Sequence, residues 1–403
     1  MSHDIVSPLC NAAKSKIFLL VLDGLGGLPH PRTGKTELET ARTPNLDRWA
    51  AQGATGLHDP VAPGITPGSG PSHLALFGYD PIEENVGRGV LSALGAGLEM
   101  TKRDVAARIN LATRDAEGRI TDRRAGRISS EEGKRVIGLL EKNVGIPGVE
   151  IILRPEKEHR AVVVFRGDGL DGNVHDTDPQ ATGVPAKEAA PLEGAPSAAR
   201  AAEVANEFIA QARKILRGEK AANEVLLRGF AGWNPPVSFR QRFQLRATAI
   251  AMYPMYRGLA RLVGMEVFPE MPSIEAEVDA LPKAFEGADF VYMHIKQTDT
   301  AGEDGDFDRK VAVLESVDAL IPQMERVAFD VAIVTGDHCT PSLMKAHSWH
   351  PVPVLMRGGT TYVDDTKEFG ESACRRGALG RFPAKQLLQQ ALAAAGRLDK
   401  FGA

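Results

Sequence analysis

Three acids and two imidazoles stand where buried strands of this sequence would end. Asp23 follows the apolar run Ile17-Phe18-Leu19-Leu20-Val21-Leu22, Asp299 follows Phe290-Val291-Tyr292-Met293-His294-Ile295, and Asp337 follows Val331-Ala332-Ile333-Val334. His338 comes next after the third acid and His347 nine residues later; Glu303 lies four beyond Asp299, on the same side of a turn or helix start. Carboxylates mixed with imidazoles suit Zn, Mn or Fe class ions rather than Ca. The set is large enough for two divalent ions, which in phosphoryl-transfer sites sit about 4 Å apart and stabilise attacking and leaving oxygens. A hydroxyl held between them would lose its proton and become a nucleophile. Gly68-Ser69-Gly70 supplies one, in a Gly/Pro loop that runs into the apolar helix start Leu74-Ala75-Leu76-Phe77. Free N–H groups at such a helix start favour a phosphate. Taken singly, each feature also has an ordinary explanation: Asp337 as an N-cap, either histidine as a core or surface residue, the loop as a turn with capping serines.

The elements that must position these groups follow from pattern. Apolar runs without alternation read as strands buried on both faces of a parallel sheet, and ligands bind beyond the carboxyl ends of such strands. Thr248 to Tyr253 and Val352 to Met356 have the same texture. A short helix opens at Thr43-Pro44, with Thr43 as N-cap and Gly53 past the end. Val311, Leu314, Val317, Ile321 and Met324 form one face of a longer helix, and 383–398 reads as a closing helix. Gly24, Gly26 and Gly27 do not make G-x-G-x-x-G, and no P-loop follows, so a dinucleotide site is not indicated. From about Thr101 the texture changes. Strands are expected at 108–112, 149–153 and 161–165, a helix with a capping box from Ser129, and a helix over 198–217. The pattern predicts an α/β fold: a mixed or parallel sheet sandwiched by helices, built from 1–103 and 240–403. A smaller α/β domain, 104–239, is inserted into it.

Composition narrows the partners. With 48 Lys plus Arg against 52 Asp plus Glu the net charge is -4, which gives neither a nucleic-acid footprint nor a polybasic membrane patch. No apolar run reaches the ~20 residues that span a bilayer. Met1 to Lys16 carries His3, Asp4 and Asn11 without an apolar core and does not read as a secretion signal. Cys10, Cys339 and Cys374 are odd in number and widely spaced, so no disulfide framework is expected. Cys339, beside the Asp-His pair, is either a thiolate ligand or a small filler. The expectation is a cytoplasmic soluble protein, with no nucleic-acid or membrane partner and an open oligomeric state.

Longer motifs carry a resemblance. Val21-Leu22-Asp23-Gly24, the loop ending in Ser72-His73-Leu74, Thr335-Gly336-Asp337-His338, and His347-Ser348 before Pro351-Val352-Pro353 resemble the alkaline phosphatase superfamily. Further segments are similar to its cofactor-independent phosphoglycerate mutases, archaeal-type branch. These are Phe77-Gly78-Tyr79-Asp80-Pro81, the basic run Asp122 to Arg127, His159-Arg160, Asp176-Thr177-Asp178-Pro179 and Tyr256-Arg257-Gly258. The resemblance covers about Ile17 to Pro353.

It implies an alkaline-phosphatase-like fold with a cap domain, and one ion held by Asp23, Ser69, Asp337 and His338. A second ion would be held by Asp299, the residue four later and His347, with Ser69 bridging. It further implies that Ser69 attacks the phosphate of 3-phosphoglycerate, that the freed glycerate reorients, and that the phosphoryl group returns to give 2-phosphoglycerate. No bisphosphoglycerate is required. Mn or Mg are the expected ions, with Zn or Co as alternatives. Arg124, Arg127, His159, Arg160 and Asp176 of the inserted domain are candidate substrate grips, since Arg binds carboxylate and phosphate with paired donors. Lys296 is a candidate for charge stabilisation or proton transfer, Ser72 reads as a helix cap, and His350 as a supporting or surface residue. One departure stands out: the family usually has His where this chain has Glu303, and a carboxylate there makes the site harder and more anionic. A phosphatase or another metal-dependent phosphotransferase is the alternative activity, and a non-catalytic binding protein a third reading.

Overall fold

The structure, a computed structural model, describes residues 4–84 and 86–402, so Met1 to His3 of the N-terminal stretch lie outside the described residues. The chain divides into two units, Met1–Asn85 with Pro236–Ala403, and Val86–Pro235.

The first unit begins with β1 (Ile17–Leu22), buried at every position. The helix α1 (Pro44–Ala50) follows, then β2 (Gly53–Asp59) and α2 (Ser69–Leu76). Thr43 does stand at the N-cap of α1, but its hydroxyl caps nothing. The free N–H groups of Asn45 and Leu46 go instead to the buried carboxylate of Asp318, at 3.0 and 2.7 Å. A distant acid replaces the local hydroxyl because its charge also complements the positive helix end.

The second unit holds α3 (Arg88–Gly95), β3 (Asp104–Arg114), β4 (Ile120–Asp122), α4 (Ser130–Asn143), β5 (Glu150–Pro155), β6 (Arg160–Arg166), α5 (Ala199–Ile215) and β7 (Glu224–Gly232). Its sheet is antiparallel in the order β4-β3-β6-β5, with β7 also on β3. Val136, Ile137 and Leu140 of α4 and Ala205, Phe208 and Ile209 of α5 bury their apolar faces against Val163 and Phe165. Residues 86–103, expected in the first unit, group with the second. The reason is α3: a Cβ at Gly89 would lie 2.3 Å from the Ala106 carbonyl oxygen, so backbone packs directly on β3. At the start of α4, Ser129 accepts the N–H of Glu132, but no reciprocal bond closes a capping box. Glu132 pairs with Arg135 instead.

Back in the first unit come β8 (Ala247–Ala251), α6 (Pro254–Leu262), β9 (Glu266–Val267), β10 (Phe290–Ile295), α7 (Gln297–Asp304), α8 (Phe307–Met324), β11 (Val331–Thr335), β12 (Val352–Gly358) and β13 (Gly380–Pro383). The eight-stranded sheet runs β13-β2-β12-β11-β1-β10-β8-β9. Strands β11, β1, β10, β8 and β9 are parallel to one another, whereas β12 is antiparallel to both β11 and β2. The expected closing helix 383–398 is shorter, a 3-10 turn Ala384–Gln386 and a helix Leu387–Ala394. On one face of the sheet Phe18, Leu20, Leu22, Val291 and Met293 pack with Leu314, Val317, Ile321 and Met324 of α8. Strand alternation sends Tyr292 and His294 to the other face, where they meet Tyr256 and His73.

Register positions the chemistry. Leu22 pairs with Ile295 and Val21 with Thr335. The three central strands therefore end at one level, and the residues just beyond them converge.

Candidate active site and metal centre

Asp23, Asp299 and Asp337 all have fully buried side chains at these strand ends. Asp23 Oδ2 accepts from His294 Nε2 at 3.0 Å and faces the Lys296 ammonium at 3.2 Å; its Oδ1 has no hydrogen-bond partner and lies 3.5 Å from His338 Nε2. Asp337 Oδ1 accepts the Gly24 N–H, and its Oδ2 is 3.2 Å from both His73 Nδ1 and His338 Nε2. Asp299 Oδ2 accepts from Lys296 Nζ and its Oδ1 from the Thr340 hydroxyl, each at 2.5 Å.

Their electrostatics reflect crowding. Burial raises the Asp337 carboxyl well above its usual range, and the neighbouring Asp23 and Asp299 add to the rise. Burial acts on Asp23 in the same direction, but the His294 bond and the Lys296 charge overcome it and hold that carboxyl well below normal. The lysine itself is held above its ordinary value: burial would lower it, and the Asp23 and Asp299 charges reverse that. Lys296 therefore remains an ammonium.

Hydrogen bonds fix the tautomers of both expected imidazole ligands. The single proton of the Thr340 hydroxyl goes to the Asp299 carboxylate, so His338 Nδ1, 3.0 Å away, must donate to Thr340. Burial depresses the His338 pKa well below 6.5, and the ring is neutral. Its Nε2 lone pair consequently faces the carboxylates of Asp23 and Asp337 and the Ser69 hydroxyl, whose Oγ is 3.2 Å distant. His347 donates Nδ1–H to the Pro67 carbonyl at 3.0 Å, which in its neutral form leaves the Nε2 lone pair toward Asp299, 3.7 Å away. The two imidazole rings stack at 3.6 Å. A ring nitrogen held by a hydrogen bond on its far side is the usual arrangement of a metal-binding histidine.

This donor set fits divalent cations. Lone pairs and buried carboxylate oxygens facing one another repel unless a cation lies between them, and Asp23 Oδ1 is orphaned. Among the described residues, Asp23, Asp337 and His338 form one group whose ligand atoms lie within 4.8 Å of one another; Asp299, His338 and His347 form another. His338 belongs to both. Glu303 stands off: its Oε1 is 3.9 Å from His347 Nε2 and its side chain is 54% exposed, so it is in neither group. Burial and the Asp299 charge raise its carboxyl pKa.

Ser69 is the first residue of α2, with Gly68 at the N-cap, so its hydroxyl lies among the unpaired N–H groups of the helix start. Ser72, expected as the cap, is inside the helix and fully buried, where its hydroxyl bonds back to the Gly68 carbonyl at 2.9 Å. Cys339 is a filler: its sulfur occupies the space a Cβ at Gly26 would need, and burial keeps it a thiol. His350 bonds Ser348 Oγ and stacks on Trp349.

In the second unit, His159 is buried, with Arg160, Arg124 and Arg108 near enough to act on its charge. Burial first, and those cations next, push its pKa down to about 4, so the ring is neutral. Arg124 and Arg127 are exposed. Asp176 accepts the Gly229 N–H on Oδ1 at 2.6 Å, and its Oδ2 lies 4.0 Å from Arg228 Nε.

Sequence reasoning missed the supporting residues. His294 holds Asp23, and His73 donates to the Ser69 carbonyl at 2.9 Å while facing Asp337. Thr340 joins Asp299 to His338, and the Tyr256 hydroxyl meets Lys296 at 3.2 Å. His294, an imidazole inside an otherwise apolar strand run, was the available signal.

Comparison with known proteins matches this picture. A family profile described as 2,3-bisphosphoglycerate-independent phosphoglycerate mutase matches residues 50–222. A protein of Aquifex aeolicus named a probable 2,3-bisphosphoglycerate-independent phosphoglycerate mutase is 47% identical, over 99% of this chain and 100% of its own length. The structure of PH0037 protein from Pyrococcus horikoshii superposes with a TM-score of 0.83 at 31% identity, covering 97% of this chain and 100% of that one. The cofactor-independent phosphoglycerate mutase from Thermoplasma acidophilum gives 0.74 at 28%, covering 95% and 100%. With such relatives along its whole length, the chain belongs to the 2,3-bisphosphoglycerate-independent phosphoglycerate mutase family.

Proposed function

We infer that this chain is an isomerase that interconverts 3-phosphoglycerate and 2-phosphoglycerate without bisphosphoglycerate, through a phosphoserine at Ser69. The observation that carries the route is the Ser69 hydroxyl itself, on a helix N-terminus and 3.2 Å from His338 Nε2, beside three buried carboxylates.

Asp23, Asp337 and His338 with Ser69 would hold one divalent ion, and Asp299, His347 and Glu303, whose Oε1 is 3.9 Å from His347 Nε2, the other, with Ser69 bridging. Bound there, the ions would neutralise the three carboxylates, lower the pKa of the Ser69 hydroxyl and offset charge on the phosphoryl oxygens. Ser69 Oγ then forms a bond to phosphorus as the bond to the glycerate oxygen breaks. In the second half the other glycerate hydroxyl attacks the phosphoserine, so one transfer is divided into two. Lys296, whose Nζ lies 3.2 Å from Asp23 Oδ2 and bonds Asp299 Oδ2, is proposed for charge stabilisation of the phosphoryl group or for proton transfer. His294, neutral with its pKa lowered to about 4 by burial, orients Asp23 by N–H donation, while His73, neutral for the same reason, donates to the Ser69 carbonyl and so holds the turn that carries the nucleophile. Arg124, Arg127, His159, Arg160 and Asp176 are proposed to bind the glycerate carboxylate and hydroxyls.

The oxygen-rich donors and Glu303 favour Mn or Mg over Zn or Co. Three buried free thiols support a reducing, cytoplasmic setting. The test is chelator-stripped enzyme reconstituted with each of the four metals and assayed with 3-phosphoglycerate through an enolase couple, with free phosphate followed in parallel. Turnover without phosphate release is expected. Release of phosphate without 2-phosphoglycerate would make the protein a phosphatase.

A further inference from the structure

Behind the candidate metal centre lies a lysine that the chemistry above does not use. Lys310, in the first turn of α8, is fully buried, and its three ammonium protons go to three backbone carbonyls: Gly24 at 2.8 Å, Gly26 at 3.1 Å and Thr340 at 2.9 Å. It forms no ion pair among the described residues. Burying an ammonium without a carboxylate partner is costly, and an apolar side chain of the same length would serve packing at least as well. Its place therefore calls for another reason.

The carbonyls it joins belong to the two loops that carry the ligands. Gly24 follows Asp23, and Thr340 lies two residues after His338. The Thr340 N–H bonds the same two glycine carbonyls, at 3.2 and 3.1 Å, so each of these oxygens accepts from both Thr340 and Lys310. The Thr340 hydroxyl in turn holds Asp299 and His338. There is no slack in this knot. A Cβ at Gly24 would lie 2.5 Å from Thr340 Oγ1 and 2.8 Å from Asp299 Oδ1, and one at Gly302 would lie 2.2 Å from the Thr340 carbonyl oxygen.

We propose that Lys310 is a positioning residue of the metal centre: by tying the loop after Asp23 to the loop after His338, it sets the spacing of Asp23 and His338, and through the Thr340 hydroxyl that of Asp299, within the two ligand groups. The proposal rests on the reading of those groups as metal sites. It does not depend on the identity of the substrate. Lys310 touches no ligand side chain and acts through backbone, which is why neither residue spacing nor motif reveals it.

The test is Mn²⁺ binding to the chelator-stripped full chain, followed by electron paramagnetic resonance of free Mn²⁺, for the parent and Lys310→Met. Loss of an outer support typically costs 10–100-fold in metal affinity. A weakening of that size with unchanged stoichiometry is expected, and kcat should recover to within a few-fold at saturating Mn²⁺ while KM for 3-phosphoglycerate stays put. Lys310→Gln, which keeps two donors and loses the charge, should fall between. A Lys310→Met protein that unfolds at lower temperature yet binds Mn²⁺ like the parent overturns the proposal. Failure of both variants to fold in saturating Mn²⁺ overturns it too, in favour of a purely structural role. A parent that binds Mn²⁺ at neither group refutes the metal reading itself, and a parent that binds but does not convert phosphoglycerate refutes only the assigned reaction.

Discussion

The hydroxyl of Ser69 lies 3.2 Å from His338 Nε2, where the buried carboxylates of Asp23, Asp299 and Asp337 converge. Ser72, one helical turn later, points its hydroxyl back at the Gly68 carbonyl. Ser69→Ala should abolish both turnover and phosphoenzyme, as seen by intact-mass analysis after quenching with substrate. Ser72→Ala should cost about 1 kcal/mol of stability and retain phosphoenzyme. A phosphopeptide mapping to Ser72 would reverse the assignment.

Glu303 stands 3.9 Å from His347 Nε2 on a half-exposed side chain. If it swings in to ligate, Glu303→His will raise the affinity for Zn or Co relative to Mn, because imidazole is the softer donor. Competition between Mn and Zn, read as a ratio of apparent dissociation constants, checks this. An unchanged ratio removes Glu303 from the ligands.

His294 holds Asp23 by a neutral N–H, and its ring stacks on Tyr256 at 3.7 Å. His294→Phe keeps the stacking surface and deletes the donor. We expect metal affinity to fall 10–100-fold and the metal-free protein to melt lower as well, because the buried Asp23 carboxylate loses a donor. Calorimetric metal titration of the two proteins decides it.

Glu277 is buried with neither carboxylate oxygen hydrogen-bonded, and burial pushes its pKa from 4.5 up to about 8. In the folded chain it is protonated at neutral pH, while in the unfolded chain it is ionised. Between the two values the unfolded state binds fewer protons, so this group's contribution to stability is full below about pH 4.5 and is lost as pH rises through about 8. Glu277→Gln removes the effect. Its melting temperature should exceed that of the parent above pH 8, and the gap should close toward pH 5. A gap independent of pH would refute the assignment.

Asp318 caps α1 from α8, by bonds to the N–H groups of Asn45 and Leu46. Asp318→Ala leaves the buried Leu46 N–H and the part-buried Asn45 N–H unpaired and should destabilise the chain by about 2 kcal/mol. Denaturant unfolding measures this, and kcat/KM at saturating metal should stay within about twofold, since eight residues along α8, or about 12 Å, separate Asp318 from Lys310.

What the sequence determined by itself was the set of strand exits and the residues delivered there. Continuous apolar runs such as Ile17 to Leu22 have one stable placement, buried on both faces of a sheet, and an acid at the end of such a run must emerge at its edge. Local glycines marked the Ser69 turn for the same reason of backbone freedom. Everything that depends on register or on distant partners was decided by the tertiary structure. The pairing of Leu22 with Ile295 and Val21 with Thr335 put three acids at one level, and neither run alone specifies that pairing. Capping shows the same limit. Thr43 follows the local cap pattern, yet Asp318 took over what its hydroxyl was expected to do, because a charge brought near by folding binds more strongly than a nearby neutral group. Lys310 and Thr340 carry no motif, since Lys310 acts on backbone carbonyls and Thr340 on the far side of the His338 ring. Such contacts exist only once the loops have met.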